Sequence, residues 1–149
     1  MQFSAALLSA IAVAFASATT IEQRDVAFDV SSFSAACVEH STQCVYSFSV
    51  LQPGSGETTG VSCSASVTSN TDGTLPDIPK YGGTCQGSSR TFWVTRGASG
   101  LDFSVSQQVS RNSNRTGSHL IPNSDLQIVK GNTGSTQKYT GPTSFTLST

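Results

Sequence analysis

The sequence predicts an all-β domain, an antiparallel β-barrel or tight β-sandwich stapled by two disulfides. Short runs alternate apolar and polar side chains with the period of two that a strand imposes, while no stretch holds a long helical period. Three of the four cysteines, Cys37, Cys44 and Cys63, sit within these alternating runs. The best run opens at Cys44, where Cys44, Tyr46, Phe48 and Val50 share one face and Val45, Ser47, Ser49 and Leu51 the other.

In chain order, Val26, Phe28 and Val30 alternate, and Phe33, Ala35 and Cys37 then alternate in the opposite register. A bulge or a break at Ser31-Ser32 follows from that shift. The polar Glu39-His40-Ser41-Thr42-Gln43 reads as a loop into the strand from Cys44 to Leu51. Pro53-Gly54-Ser55-Gly56 is a turn, and Val61, Cys63, Ala65 and Val67 make the next strand, so a hairpin is expected. Ser69 to Ser89 is poor in apolar residues and carries Asp72-Gly73, Pro76, Pro79, Gly82-Gly83 and Gly87. It reads as one long connection, of a length that needs something to order it.

Arg90 to Arg96 resumes a strand, and Gly97 to Gly100 turns it into Leu101, Phe103 and Val105 as a second hairpin. Gln107 to Gly117 is polar and reads as an exposed loop. Asn114-Arg115-Thr116 within it is an N-glycosylation acceptor. His119 to Pro122 precedes a strand from Leu126 to Lys130. After a turn over Gly131 to Ser135, a final strand pair holds Tyr139, Phe145 and Leu147, divided at Gly141-Pro142. Some ten short strands with no internal repeat suit a single β-barrel domain over 26–149.

Residues 1–18 carry no charged side chain and hold an apolar run that ends in Ala16-Ser17-Ala18, the small-residue pattern of a signal-peptide cleavage site. Residues 19–25 form a short polar segment, of which trimming after Arg24 would remove 19–24. The chain is therefore expected to be secreted and extracellular, with no stable membrane insertion. Lys and Arg number 8 against 9 Asp and Glu, a formal net charge of −1, and charged residues are 11% of the chain. That balance offers no basic surface to nucleic acid or to an anionic membrane.

In an exported chain four cysteines imply two disulfides, for which three pairings exist. Pairing of chain neighbours, Cys37 with Cys44 and Cys63 with Cys85, is the expected one. Loop entropy gives these bridges roughly 2.5 and 3.4 kcal/mol. A zinc site on Cys37, His40 and Cys44 is the competing reading, but the spacing lacks a second close ligand pair, so no metal and no cofactor are expected.

Catalysis finds little anchorage. Only His40 and His119 could serve as imidazole bases, no Gly-x-Ser-x-Gly elbow occurs, and Asp72-Gly73-Thr74 has the wrong order for an aspartic-protease signature. Glu39, Glu57, Asp77 and Asp102 offer carboxylates without a pairing that the sequence can show. Trp93 is the more informative residue. If Phe92 and Val94 face the core, Trp93 faces out with Thr91 and Thr95, where a large aromatic beside hydroxyls would stack on a sugar or anchor a partner unless a loop covers it. Tyr81 is a second candidate for that surface.

Taken together, several stretches resemble the small secreted fungal proteins known as hypersensitive-response-inducing elicitors. They are His40-Ser41 within CVEHSTQC and the VYSFSV strand after it, Thr59-Gly60-Val61 before Cys63, and Gly83-Thr84-Cys85 leading to Ser88-Ser89-Arg90-Thr91-Phe92. Val105-Ser106-Gln107, Gly117 to Asn123, and Tyr139-Thr140-Gly141-Pro142 through to Phe145 extend the resemblance over nearly the whole mature chain. A looser similarity links it to the Alternaria major-allergen-like β-barrel proteins, whose cysteine spacings differ, so their dimerisation is not carried over and the oligomeric state stays open. The resemblance implies secretion, a barrel with two disulfides, no enzyme activity, and recognition by plant cells as an elicitor or effector. The implied partner is a plant surface or apoplastic protein, or a cell-wall glycan. A carbohydrate-binding or small-ligand-binding β-module is the alternative.

Overall fold

A computed structural model describes residues 25–132 and 134–149; the expected signal peptide and residues 19–24 of the polar segment lie outside the described residues. Ten strands follow one another: β1 (Val26–Cys37), β2 (Gln43–Leu51), β3 (Val61–Thr68), β4 (Ile78–Cys85), β5 (Thr91–Gly97), β6 (Gly100–Ser110), β7 (Ser113–Pro122), β8 (Leu126–Gly131), β9 (Gly134–Tyr139) and β10 (Phe145–Ser148). A single turn of 3-10 helix, Asn123–Asp125, precedes β8.

Strands β1 to β7 pair antiparallel in sequence order, β10 pairs with β7, and β10 also pairs with β1. This closes an eight-strand antiparallel barrel, and closure removes the open edges a sheet would otherwise expose. The remaining two strands form a hairpin outside the ring, with β9 joined to β1 through Ala36 opposite Lys138. The Ser31-Ser32 discontinuity is a bulge within one strand. The β1–β2 register shifts between Ser31 and Ser34, and Ser32 takes a positive φ of 53°. Before the bulge β1 faces β10; after it β1 faces β9.

Alternation drives the packing. Phe33, Phe48, Phe92 and Phe103 are buried, and their rings meet at 4.8 Å (Phe48–Phe92), 5.0 Å (Phe48–Phe103) and 5.3 Å (Phe33–Phe103). Phe145 and Tyr139 close on Phe33 at 5.3 and 4.9 Å. The lumen is thus filled by side chains, as expected of a barrel of this strand number. Gly117 is required where β7 approaches its neighbours, because a Cβ there would sit 2.8 Å from the Cβ atoms of both Ala27 and Leu147.

Both expected disulfides form, and each joins residues directly opposite in adjacent strands: Cys37 to Cys44 across β1–β2, and Cys63 to Cys85 across β3–β4. Bonding of Cys37 to Cys44 consumes the thiolates that the zinc reading needed.

Three expectations are corrected. The stretch from Ser69 to Ser89 is not one long connection, because Ile78–Cys85 is strand β4. The polar stretch Gln107 to Gly117 belongs to the β6–β7 hairpin, paired as far as Ser110 opposite Ser113. Its residues lie beyond the apolar core, so pairing there needs no apolar side chain. The last two strands, β9 and β10, are not partners: β9 pairs with β8 and β1, and β10 with β1 and β7.

Candidate recognition surface

The outer face of β4 to β7 gathers the aromatic residues that the sequence singles out. Between Ile78 opposite Val94 and Gly83 opposite Phe92, β4 spends five residue steps where β5 spends two, so residues 79–82 arch out of the sheet. Gly83 lets the arch return, since a Cβ at that position would meet the Phe92 ring at 2.5 Å. At the crest Tyr81 holds a φ of 63° and is 47% exposed. A positive φ on a bulky residue is an outlier that costs about 1–3 kcal/mol and persists only where its surroundings impose it.

Trp93 projects outward from β5, between the buried Phe92 and Val94, and is half-buried. Tyr81 meets it edge-on, with ring centroids 5.0 Å apart and planes at 72°. Lys80 Nζ stands 5.2 Å from the Tyr81 ring and 5.8 Å from Trp93. An aromatic pair contributes about 0.5–1.5 kcal/mol, and an exposed cation over a ring about 0.5–1 kcal/mol. Those gains only offset the strain at Tyr81. The flanking ladder and the Cys63–Cys85 bridge at the end of β4 therefore hold the arch in place, and the two rings stand on a rigid mount.

Hydroxyls cover the sheet beside them. One cross-strand row runs Ser34, Ser47, Ser64, Thr84, Thr91, Ser106 and Thr116 from β1 to β7. Thr116 Oγ1 donates to Ser106 Oγ at 3.0 Å, and in the next row Ser104 and Ser118 share a hydrogen bond of 2.8 Å. Above the first row lies a shallow groove of about 200 Å³ lined by Tyr81, Ser89, Thr91, Ser106, Gln108 and Asn114. The glycosylation acceptor thus shares a groove with Tyr81, a proximity that a separation of 33 positions conceals in the sequence.

A larger open cleft of about 630 Å³ lies where the β1–β2 loop faces the β8–β9 hairpin. Glu39, His40, Ser41 and Thr42 line one side, and Gly131, Asn132 and Gly134 to Thr136 the other. His40 takes a φ of 61° at the tip of its loop. His119 lies elsewhere, stacked on Phe145 at 4.3 Å; burial lowers its pKa, against a smaller upward pull from Asp125. The structure therefore does not bring the two imidazoles together. Among the described residues no group of three or more His, Cys, Asp or Glu could hold a metal ion.

Sequence reasoning missed Lys80, which looks like an ordinary solvated lysine until the arch places it over both rings. It also missed the pairing of Arg90 with Glu57. Arg90 is 1% exposed and closes one end of the barrel, its Nη2 bonded to Glu57 Oε1, its Nε donating to Gln107 Oε1 at 2.8 Å and its Nη1 to the Val50 carbonyl at 3.2 Å. Glu57 Oε2 accepts from the Gln52 amide at 3.0 Å, and that bond, followed by Arg90, holds the Glu57 carboxyl below its ordinary pKa.

Compared with protein-family models the chain matches none, and among curated proteins no match was found. Two disulfides in a small β-barrel are consistent with an extracellular protein.

Proposed function

We propose that the chain works by recognition and not by catalysis, as a secreted elicitor or effector sensed by plant cells through its outer surface. The observation that carries this reading is the Lys80–Tyr81–Trp93 platform: an exposed tyrosine against a half-buried tryptophan, with a cation over both rings, displayed at a strained bulge on a rigid barrel. Tyrosine and tryptophan are enriched among the few residues that carry most of the binding energy at protein interfaces. The packed lumen directs ligand binding to the outside of the barrel. The partner is a plant surface or apoplastic protein, as the sequence resemblance implies. A carbohydrate-binding module is the second reading, favoured by the hydroxyl rows that border the same two rings.

The test is infiltration of folded, purified protein into plant leaves, with the Tyr81→Ala/Trp93→Ala double variant and His40→Ala beside it. Cell death or defence output from wild type and His40→Ala, lost in the double variant that keeps its β-sheet circular dichroism, is the expected result. Silence from wild type on responsive plants removes the elicitor reading. A glycan array decides the second one: binding that disappears with Trp93→Ala moves the assignment to a carbohydrate module.

A further inference from the structure

We propose that the groove between β4 and β7 seats this chain's own N-linked sugar, carried on Asn114, and that the seated sugar covers part of the Tyr81 ring. Asn114 is exposed and is itself one wall of the groove. Along β7 the side chains alternate, so Asn114 and Thr116 project together onto the outer face. Arg115 turns the other way, to the carbonyls of Val26 at 2.9 Å and Ala27 at 3.3 Å. The first sugar ring therefore starts inside the groove.

The lining suits that occupant. A pyranose offers an apolar C–H face and a rim of hydroxyls. Tyr81 supplies an aromatic ring, while Ser89, Thr91 and Gln108 supply groups able both to donate and to accept. The volume of about 200 Å³ lies below the roughly 300–1,000 Å³ of pockets that enclose drug-sized ligands, so it suits one ring and not a free chain. Covalent tethering decides the occupancy. A linked ligand experiences an effective concentration on the order of millimolar, enough to populate a contact too weak to hold a free sugar.

The modification needs a lipid-pyrophosphate-linked oligosaccharide as donor. Asn114 Nδ2 forms a C–N bond to C1 of the first sugar and gives up one proton, and the lipid pyrophosphate leaves with the C–O electron pair. The inference rests on the secretory reading above, since that donor is met only on export. The sugar would then act as a built-in cover over one edge of the Tyr81–Trp93 platform, and its removal would enlarge the surface a partner meets.

The experiment expresses the full chain, leader included, in a secretory eukaryotic host and follows native-state release of the glycan by peptide N-glycosidase. Peptide mapping should find Asn114 occupied. Release from native wild type should be about three- to tenfold slower than from Tyr81→Ala, the range expected of one aromatic contact. Tyr81→Phe should restore the slow rate, and all three proteins should release equally once denatured. Exported protein with a bare Asn114, or equal native rates for wild type and Tyr81→Ala, overturns this inference and leaves the secretory reading intact. Failure of the chain to leave the cell overturns both.

Discussion

The two ends of the barrel face the same physical problem and meet it with different chemistry. At one end Arg90 is drawn inward under the Phe28 ring, 5.6 Å from its centroid, and its charge is matched by Glu57 from the β2–β3 loop. At the other a folded loop carries Leu75 into the core, completely buried, with the Tyr46 hydroxyl donating to the Pro76 carbonyl at 2.7 Å. Gln137 Oε1 accepts from the Leu75 amide at 3.0 Å and from Arg96 Nη2 at 2.8 Å. Both ends use an arginine, but the guanidinium of Arg96 bonds the neutral oxygens of Leu75 and Gln137 whereas that of Arg90 meets a carboxylate. A buried cation is tolerable only with its partners in place, while a buried leucine needs only volume. One end is therefore sensitive to charge and the other to shape.

The largest expected effect comes from Arg90→Ala, which empties a buried side-chain volume and leaves the Val50 carbonyl and Gln107 without their donor, and should cost about 3–5 kcal/mol in urea unfolding. Arg90→Met should recover part of that loss, since it restores volume without charge. Leu75→Ala should cost about 3 kcal/mol through the cavity it opens. A larger loss for Leu75→Ala than for Arg90→Ala would invert the ranking of the two ends.

Smaller effects separate the ends by pH. Burial pushes the Tyr46 phenol well above its ordinary pKa, so its contribution is complete below that ordinary value and is lost as pH rises beyond it. Tyr46→Phe should cost about 1 kcal/mol at neutral pH and flatten the alkaline limb of the stability profile. The Glu57 carboxyl has the opposite sign. Its pKa is lowered, so its contribution is present above the ordinary carboxylate value and fades as pH falls through the depressed one. Glu57→Gln should flatten the acid limb by less than about 1 kcal/mol, because water still reaches that carboxylate. Hydrogen exchange at both pH extremes should show the charged end opening first in acid and the Leu75 end opening first in base.

Where side chains alternate, the sequence was legible: β1, β2, β3, β5 and the first half of β6 all announce themselves, as do both disulfides. Strand β4 does not, since Ile78-Pro79-Lys80-Tyr81-Gly82-Gly83 carries a proline, two glycines and a bulge that breaks its period. Leu75 was illegible for another reason. A lone leucine in a polar loop has no periodicity, and its burial depends on Gln137, 62 residues away. At the candidate surface the outward direction of Trp93 follows from its neighbours Phe92 and Val94. The approach of Tyr81 and Lys80 follows from the arch alone, which no local pattern encodes.

The last strand closes the ring against the first: Ser148 lies opposite Val26, and Thr149 Oγ1 donates to the Asp25 carbonyl across a separation of 124 residues. No shorter stretch of the chain is a complete ring, so during synthesis the sheet keeps two raw edges until Phe145–Ser148 emerges. Closure by partners so distant in sequence is slow. The same adjacency of Asp25 and Thr149 makes the molecule a natural subject for circular permutation. A short linker could join these neighbours, and new termini could be cut in the Pro53–Gly56 turn without disturbing a single ladder bond of the barrel.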